Sequence, residues 1–585
     1  MMHEIVIFLV ALLGCCSSSP NKRANDFDLV ILHNNDMHGR FEETERNTGT
    51  CQPDHRNKSC IGGMARTAHV IRAYRERHQK GTGPPVLYLN AGDTFVGTAW
   101  FSVFTWNISS TFLNALKPDA VSLGNHEFDL TSSVLSEFVD HLDSPILAAN
   151  LNFSLEPNLV GKFNASTILH VDGRRIGIIG YLTPETIKIS STGSVVFENE
   201  IIAVKREADS LRLLGVNIII ALGHSGYQMD QAIAKEVELV DLVIGGHTNT
   251  FLYNGNRPDS EIIEDPYPKV ITQKSGKRVP VVQAFAYTKY LGVLNCTFNT
   301  NGDLIKFAGQ PLLMETSIPQ EQDILELLHI YRPAIDNLNK EVIGYSRVYL
   351  DGESSNCRFK ECNLGNLVTD ALVSYAITES TQSWTNVPIG LYNGGGLRNS
   401  INPVGDLGKI TRGDLMAVLP FGNQVFILTL KGSDLIEALE QMVRSTGETS
   451  MGEFPQVSGL KLELDMTKKP YSRIVSVKAR CGICEIPKYY LIDPEQNYTL
   501  VTSSFLANGG DGITVLKEKP LERREMDGGD LDAVANFITR HSPIYPEIQG
   551  RIKFVNGKSS GTKISSTWLL ISLSLLMIFV RKYIV

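Results

Sequence analysis

The sequence lacks any concentrated positive charge and any apolar run of transmembrane length. Its 585 residues carry a formal net charge of −8, and no run of Lys and Arg exceeds three residues. Binding of a nucleic-acid polymer needs a clustered cationic face, so that class of partner is excluded. Hydrophobic residues make up 43% and charged residues 20%, which excludes intrinsic disorder, collagen and coiled coil. At roughly 100–200 residues per domain, the length allows several domains or two large ones.

The N-terminal apolar run is too short to span a bilayer. Residues 5–14 read IVIFLVALLG, which fits the apolar region of a secretory signal, although the preceding positive charge is weak. We expect a signal peptide over residues 1–19, cleaved within 16–20. The alternative is a buried N-terminal strand.

The C-terminal apolar run is also short, with thirteen residues over 568–580. A helix of this length spans about 20 Å of a roughly 30 Å hydrocarbon core. Small residues, a polar spacer and an apolar tail predict a glycosylphosphatidylinositol attachment signal over 556–585. Ser559 is the first choice for attachment, with Asn556 and Ser560 as alternatives. The competing interpretation is a transmembrane helix with RKYIV as its cytoplasmic tail.

N-x-S/T sequons are spread over the remaining chain. Together with a secretory signal they indicate a glycoprotein at the outer face of the cell membrane. The six acceptor asparagines are Asn57, Asn107, Asn152, Asn164, Asn295 and Asn497.

Cysteines are few, and most of them are close to a second cysteine in the sequence. Two of the nine fall in the expected signal, and three close pairs predict local disulfides in an oxidising compartment. The last pair also has the spacing of a zinc knuckle, but the sequence has no second CxxC to complete one. Cys296, which is left over, is expected to be a buried free thiol in a strand. The pairs are Cys51 and Cys60, Cys357 and Cys362, and Cys481 and Cys484.

The N-terminal half repeats one pattern, in which a short apolar run ends in polar residues and a helical stretch follows. Such runs indicate βα units and buried sheets, where ligands gather beyond the carboxyl ends of the strands. We therefore expect all five polar endings at the same edge. They carry Asp36 with His38, Asp93, Asn125 with His126 and Asp129, His224, and His247.

Five successive strand ends with these residue types are hard to explain by packing, because buried carboxylates and imidazoles without partners are costly. A pair of divalent cations would satisfy them. Carboxylate, amide and imidazole ligands without thiolate suit zinc, manganese or iron. Two such metals clamp the oxygens of an in-line phosphoryl displacement.

The motifs ILHNNDMHGR, NAGDTFVGT, SLGNHEFD, GHSG and GGHTNTFLY resemble those of the 5′-nucleotidase family of calcineurin-like metallophosphatases. The resemblance continues through LYNGGGLR, VLPFGN and SSFLANGGDG and covers roughly residues 26–555. With the expected lipid anchor, the sequence is most similar to the animal ecto-5′-nucleotidases.

The resemblance implies two divalent metal ions, with zinc expected. Asp36 and His38 would bind one metal, and Asp93 would bridge both. The second would be completed by Asn125, His224 and His247. Asn249 matches a position that adds a weak ligand in some relatives.

The resemblance also implies that His126, oriented by Asp129, stabilises charge on the transferring phosphoryl group. The sequence supports this pair independently, because the two residues are three apart at a strand-to-helix turn. A second expected role for Asp129, compatible with the first, is to cap the helix that follows.

The second half carries glycine-rich loops, which by resemblance line a nucleoside pocket. Two phenylalanines would sandwich the base, an aspartate would accept hydrogen bonds from the ribose, and two arginines would bring fixed cationic groups toward phosphate or ribose. The matching residues are Arg358, Asn393, Arg398, Phe421, Phe505 and Asp511.

These observations predict an α/β fold, α+β overall, with a metallophosphatase domain over 26–315, a bridging helix over 316–339 and a mixed α/β nucleotide-binding domain over 340–555. By resemblance, the domains rotate about the bridging helix, and homodimers can form through the C-terminal domain.

The expected activity is extracellular hydrolysis of nucleoside 5′-monophosphates, AMP to adenosine and phosphate, by water activated at two metals. Alternatives within the class are an apyrase or nucleotide-sugar hydrolase on the same scaffold, and a phosphodiesterase. A further alternative is an inactive adhesion or receptor protein.

Overall fold

The computed structural model describes residues 26–46, 48–51, 55–56, 58–377, 383–403, 407–445 and 452–556. The expected signal peptide, the anchor residue Ser559 and the sequon at Asn57 lie outside these described residues. Within them, no helix combines the length and the apolar character needed to cross a membrane.

The described residues form 25 strands. They are β1 Phe27–Asn34, β2 Val86–Asn90, β3 Ala120–Ser122, β4 Ile146–Leu147, β5 Leu151–Asn152, β6 Ser166–Val171, β7 Arg174–Leu182, β8 Val196–Phe197, β9 Ile218–His224, β10 Leu242–Ile244, β11 Lys269–Thr272, β12 Arg278–Val282, β13 Tyr290–Phe298, β14 Leu304–Leu313, β15 Val342–Tyr345, β16 Ile389–Asn393, β17 Lys409–Thr411, β18 Gln424–Lys431, β19 Pro455–Ser458, β20 Leu460–Leu464, β21 Ile474–Arg480, β22 Tyr489–Leu491, β23 Asn497–Ser503, β24 Glu522–Gly529 and β25 Ile552–Phe554.

The same residues form 15 α-helices. They are α1 Met64–Gln79, α2 Ala99–Phe104, α3 Trp106–Leu116, α4 Ser132–Asp140, α5 Thr186–Ile189, α6 Glu200–Leu213, α7 Tyr227–Glu236, α8 Gln322–Lys340, α9 Ser354–Cys357, α10 Asn363–Ile377, α11 Arg412–Val418, α12 Gly432–Met442, α13 Ser504–Ala507, α14 Val515–Glu518 and α15 Asp530–His541.

Two six-stranded sheets form the N-terminal half. The first has the order β14-β13-β1-β2-β3-β4, and the second has the order β11-β12-β10-β9-β7-β6. In the first sheet β1 to β4 run parallel, and in the second β7, β9, β10 and β12 run parallel. Each sheet therefore gathers several carboxyl ends at one edge.

The alternating side chains of β1 explain why the first sheet is buried on both faces. Leu29 and Ile31 pack in the core shared with the second sheet. Val30 and Leu32 pack on the other face, with helices α1 and α3. Burying one such side chain contributes about 1.5–3 kcal/mol, and the period of two places consecutive residues on opposite faces.

The C-terminal half has a five-stranded sheet of order β19-β16-β23-β18-β24 and a four-stranded sheet of order β22-β21-β20-β25. Helices α10 and α15 pack together against the former, and their apolar residues share one core. The two halves together confirm the expected mixed α/β class.

Helix α8 lies between the halves and packs against α1 and α2 on one side and α11 on the other. It begins at Gln322 and ends at Lys340. Its start is therefore later than residue 316, where the sequence predicted it. Arg332 in this helix donates a hydrogen bond of 2.6 Å to Glu42. The helix is thus fixed to the N-terminal half by an ion pair as well as by packing.

The three cysteine pairs expected from the sequence are disulfide-bonded in the structure. Cys481 and Cys484 are bonded to each other, so the zinc-knuckle alternative is not supported. Cys296 lies in β13 and is a buried free cysteine, as expected.

Candidate active site

The five polar strand ends are divided between the two sheets of the N-terminal half. β1, β2 and β3 are neighbours in the first sheet, and β9 and β10 are neighbours in the second. The sequence expectation of a single sheet edge is therefore wrong: two sheets each contribute a carboxyl edge, and the two edges meet. The ring Nδ1 of His224, at the end of β9, lies 2.7 Å from the carbonyl oxygen of Ala91, directly after β2.

Asp93 lies at the centre of the expected metal ligands. Its Oδ2 is 2.9 Å from Nε2 of His224 and 3.9 Å from Nε2 of His38. Asp36 Oδ1 lies 3.6 Å from the same His224 nitrogen and 3.8 Å from His38 Nε2. The two carboxylates thus face both imidazoles.

The remaining expected ligands, Asn125 and His247, contact each other, and His247 also contacts Asp36. Nδ1 of His247 lies 2.8 Å from Oδ1 of Asn125, and the His247 backbone N–H donates to Oδ2 of Asp36 at 2.9 Å. Asn249 lies beside them, and its amide nitrogen is 3.4 Å from the Tyr287 hydroxyl.

The donor set fits a pair of metal ions. Oδ1 of Asp36 is buried and has no hydrogen-bond partner among the described residues. Unpartnered polar atoms of this kind are costly unless a cation binds them. At this site two groups of ligand atoms are close enough to share an ion, and Asp93 belongs to both. They are His38, Asp93 and His126, and Asp93, His224 and His247.

Burial and charge set the protonation of these ligands. Burial lowers the pKa of His38 well below its usual value and that of His247 to about 3, so both imidazoles are neutral and able to bind a metal. Burial opposes ionisation of Asp93, but the neighbouring His224 and His126 hold its pKa well below the ordinary value. Burial raises the pKa of Asp36 to about 6.

The backbone at the site is held in an unusual conformation. The φ angles of Asp36, His38, Asp93 and His247 are +51°, +48°, +55° and +78°, in the left-handed region that non-glycine residues rarely adopt. Such strain is found at sites where the surrounding structure over-determines the geometry. Gly124 is required nearby, because a Cβ there would lie 2.1 Å from Oδ1 of Asp93.

Glu127 is a functional residue that the sequence reasoning missed. Its buried carboxylate accepts hydrogen bonds from the backbone N–H groups of Asp93, Thr94, Phe95 and Gly124. This carboxylate therefore holds the strained loop that presents Asp93. The signal was available, because Glu127 directly follows His126 in the motif SLGNHEFD.

The expected dyad is formed. Nδ1 of His126 makes a short hydrogen bond with Oδ2 of Asp129, and the His126 backbone N–H donates to Oδ1 of Asp93 at 2.9 Å. Burial opposes protonation of His126, but Asp129 and Asp93 raise its pKa overall. The N-cap of α4 is Thr131, so the second expected role of Asp129, as the cap of that helix, is wrong.

Residues of the C-terminal half reach this dyad. Nη2 of Arg398 lies 3.3 Å from Nε2 of His126, and the rings of Phe421 and His126 are stacked with centroids 6.1 Å apart. The Arg398 guanidinium lies 5.7 Å from the centre of the Phe421 ring. The expected dyad of one half and the expected nucleoside groups of the other thus lie side by side at the junction of the two halves, which we call the cleft.

The other expected pocket residues lie beside this cleft. Asn393 Nδ2 donates to Oδ2 of Asp511 at 2.7 Å. Phe505 packs on Gly510, where a Cβ would lie 2.6 Å from the ring. Burial, together with the charge of Arg398, lowers the pKa of Arg358 to about 10.

Arg40 is a second residue that the sequence reasoning passed over, although it ends the motif ILHNNDMHGR. The side chain is buried, donates to the His38 carbonyl oxygen at 2.8 Å and lies 4.5 Å from the centre of the Tyr287 ring. Its positive charge acts on the site, since burial and the charges of Arg398 and Arg40 lower the pKa of His38.

Two family models match the chain. The calcineurin-like phosphoesterase model matches residues 29–251, and the 5′-nucleotidase C-terminal domain model matches residues 342–518. The 5′-nucleotidase of Homo sapiens is 40% identical over 557 residues, which cover 94% of each chain. This chain belongs to the 5′-nucleotidase family.

Other members of the 5′-nucleotidase family are similar over nearly the whole chain. A snake venom 5′-nucleotidase from Crotalus adamanteus is 40% identical and covers 96% of this chain and 95% of its own. The crystal structure of a 5′-nucleotidase precursor from Thermus thermophilus superposes with a TM-score of 0.82 at 35% identity, covering 91% of this chain and 100% of that one. The family membership confirms the expected enzyme class, a metal-dependent phosphoric monoester hydrolase.

The phosphoesterase match contains every expected metal and dyad residue, and the 5′-nucleotidase C-terminal match contains every expected nucleoside residue. The division of the family into two models therefore coincides with the division of the expected residues into a metal-and-dyad set and a nucleoside set.

Proposed function

We propose that the chain hydrolyses nucleoside 5′-monophosphates, with AMP as its main substrate, and releases adenosine and phosphate. The observation that carries this proposal is the 3.3 Å approach of Arg398 to His126. It brings the nucleoside loops of the C-terminal half to the phosphoryl side of the N-terminal half, so a substrate with both a base and a phosphate would contact both.

The metal ligands in this proposal are Asp36, His38, Asp93, Asn125, His224 and His247. When bound, two divalent cations, with zinc as the proposed ion, supply Lewis-acid charge to the phosphoryl oxygens and lower the pKa of the attacking water. Asp93 belongs to both groups of ligand atoms, which supports its role as the bridge.

The side chains around the metals have separate tasks. The hydrogen bond to Asp129 fixes the His126 ring, so that Nε2 can donate to a phosphoryl oxygen as negative charge develops on it. Arg398, and with it Arg358, supplies a charge-assisted donor to the phosphate. These contacts stabilise the transferring group without a covalent intermediate on the protein.

On the nucleoside side, Phe421 and Phe505 would stack on the two faces of the base, since an aromatic face binds any base. Asp511 would accept hydrogen bonds from the ribose hydroxyls, and its bond from Asn393 holds the carboxylate in place. This division of tasks explains why both halves are needed for a nucleotide.

We further propose a lipid-anchored glycoprotein at the outer face of the cell membrane. The five sequon asparagines among the described residues are all exposed, as glycosylation requires. The proposed boundaries remain 26–315 for the catalytic domain and 340–555 for the nucleotide-binding domain, with a homodimer through the latter.

The test is phosphate release from AMP, ADP, ATP and UDP-glucose, measured side by side with bis(p-nitrophenyl) phosphate as a diester. We expect the highest kcat/KM for AMP. A higher value for ADP or ATP would favour the apyrase alternative, and one for UDP-glucose the nucleotide-sugar hydrolase. A preference for the diester would favour the phosphodiesterase, and no release from any substrate the inactive receptor.

A further inference from the structure

Ser190 completes the hydrogen bonding of the dyad aspartate. Asp129 uses Oδ2 to bind Nδ1 of His126, and its other oxygen, Oδ1, accepts a hydrogen bond of 2.8 Å from the Ser190 hydroxyl. Each carboxylate oxygen of Asp129 therefore has a hydrogen-bond partner. One partner is the His126 ring, and the other is Ser190, 61 residues further along the chain.

The backbone around Ser190 is fixed to the turn that carries the dyad. The Ser190 N–H donates to the carbonyl oxygen of Thr186 at 2.9 Å. Ser190 is the C-cap residue of helix α5. The next N–H, that of Ser191, donates to the carbonyl oxygen of Phe128 at 3.1 Å. Phe128 belongs to the same 3-10 turn as His126, so the Ser190 hydroxyl is held at a fixed distance from Asp129.

The opposite side of α5 contacts the C-terminal half. The helix packs against the turn Gly510–Gly512, which contains Asp511. A Cβ on Gly512 would lie 3.7 Å from Cδ of Lys188 in α5. The segment that ends in Ser190 is thus placed between the proposed ribose site and the dyad.

We propose that Ser190 is a positioning residue for the phosphoryl-transfer step. The last torsion of an aspartate side chain is broad and two-fold, so a single hydrogen bond to His126 does not fix the plane of the carboxylate. The second bond, from Ser190, selects the orientation in which Oδ2 faces Nδ1. This inference rests on the proposed role of the dyad in nucleotide hydrolysis.

The proposal predicts an effect on turnover and not on substrate binding. Ser190 reaches the substrate only through Asp129 and His126, and a hydrogen bond to a charged group is worth enough to change a rate about tenfold. Since AMP and p-nitrophenyl phosphate share the phosphoryl group, both should be affected equally.

The experiment compares the wild type with Ser190→Ala, Ser190→Thr and Ser191→Ala in the full chain. Ser191 is the matched control, because it is the exposed neighbour of Ser190 and binds Phe128 through its backbone N–H, which the substitution keeps. We expect Ser190→Ala to lower kcat about tenfold for both substrates with KM within about twofold. Ser190→Thr, which keeps the hydroxyl, should restore most of the rate, and Ser191→Ala should match the wild type.

A double-variant cycle separates positioning from general packing. Asp129→Ala removes the group through which Ser190 acts, so Ser190→Ala should cause no further loss of kcat in that background. A further tenfold loss there would overturn the proposal, as would a Ser190→Thr variant as slow as Ser190→Ala with an unchanged melting temperature. An active wild type with an unaffected Ser190→Ala variant overturns this inference alone, whereas a wild type inactive on AMP overturns the proposed function as well.

Discussion

Nη2 of Arg398 lies 3.3 Å from Nε2 of His126, although 272 residues separate them in the sequence. Arg398 follows strand β16 of the C-terminal five-stranded sheet, and His126 follows β3 of the N-terminal half. Their contact brings a cationic group of the C-terminal half to the expected dyad of the N-terminal half.

Asp93→Ala should abolish phosphate release from AMP. Asp93 belongs to both possible ligand groups, so its removal would disrupt both metals at once. Metal analysis of the wild type should give about two ions per chain, and the variant should lose metal while remaining folded by circular dichroism. Asp209→Ala, at an exposed position in α6, is the control. A wild type with one ion or none and full activity would exclude the dinuclear site.

Removal of an aromatic face should weaken nucleoside binding and leave the phosphoryl chemistry intact. Phe421→Ala or Phe505→Ala should raise KM for AMP through a stacking loss of roughly 1–3 kcal/mol. Hydrolysis of p-nitrophenyl phosphate, which has no base, should hardly change. His126→Ala should lower kcat for both substrates, because they share the phosphoryl group.

Phe554→Ala, a partly exposed phenylalanine in β25, is a suitable control for these aromatic variants. Equal loss of both activities in the phenylalanine variants, with the fold retained, would contradict a separate nucleoside clamp.

Glu127→Gln should destabilise the protein and weaken metal binding. The carboxylate accepts backbone N–H groups from both loops at the site, and an amide of the same size places a donor against one of them. A buried backbone N–H group left without an acceptor costs about 1–3 kcal/mol. Thermal unfolding and metal titration would measure the two effects. Glu137→Gln, exposed in α4, should change neither.

The affinity for AMP should rise with pH around neutrality. Burial, with the charge of Glu453, raises the pKa of Asp511 to about 7. Below that pH the protonated carboxyl is a weaker acceptor for the ribose hydroxyls, so KM should increase as pH falls from 8 to 6.

Both substrates carry a phosphate that titrates, so this contribution cancels in the ratio of KM for AMP to KM for p-nitrophenyl phosphate. The pH dependence that remains in the ratio reports the contact of Asp511 with the ribose. Asp511→Asn should raise the ratio and remove its pH dependence. A wild-type ratio that is flat over this range would contradict the assignment.

Phosphatidylinositol-specific phospholipase C should release active enzyme from the cell surface. The reason is the proposed attachment at Ser559, after which the apolar tail over 568–580 is removed. Untreated cells give the baseline. Activity that stays on the membrane, together with a surviving RKYIV epitope, would instead favour the transmembrane helix.

The sequence alone determined the chemistry of the site. Strand ends that carry Asp, Asn and His are local features, because an apolar run and the polar residues after it are contiguous in the chain. Their residue types indicated a divalent-metal site, and the spacing of His126 and Asp129 placed the two side chains within hydrogen-bond reach. The local disulfides were equally accessible, since each joins cysteines at most nine residues apart.

Only the tertiary structure decided how these pieces meet. Periodicity shows that a strand is buried but not which sheet it joins, so the division of the five strand ends between two sheets could not be read from the chain. The supporting contacts of Glu127 and Ser190 were also hidden. Glu127 accepts hydrogen bonds from backbone N–H groups of the Asp93 loop, and Ser190 donates to Asp129. These partners are distant in the sequence, so only the folded chain shows that they are in contact.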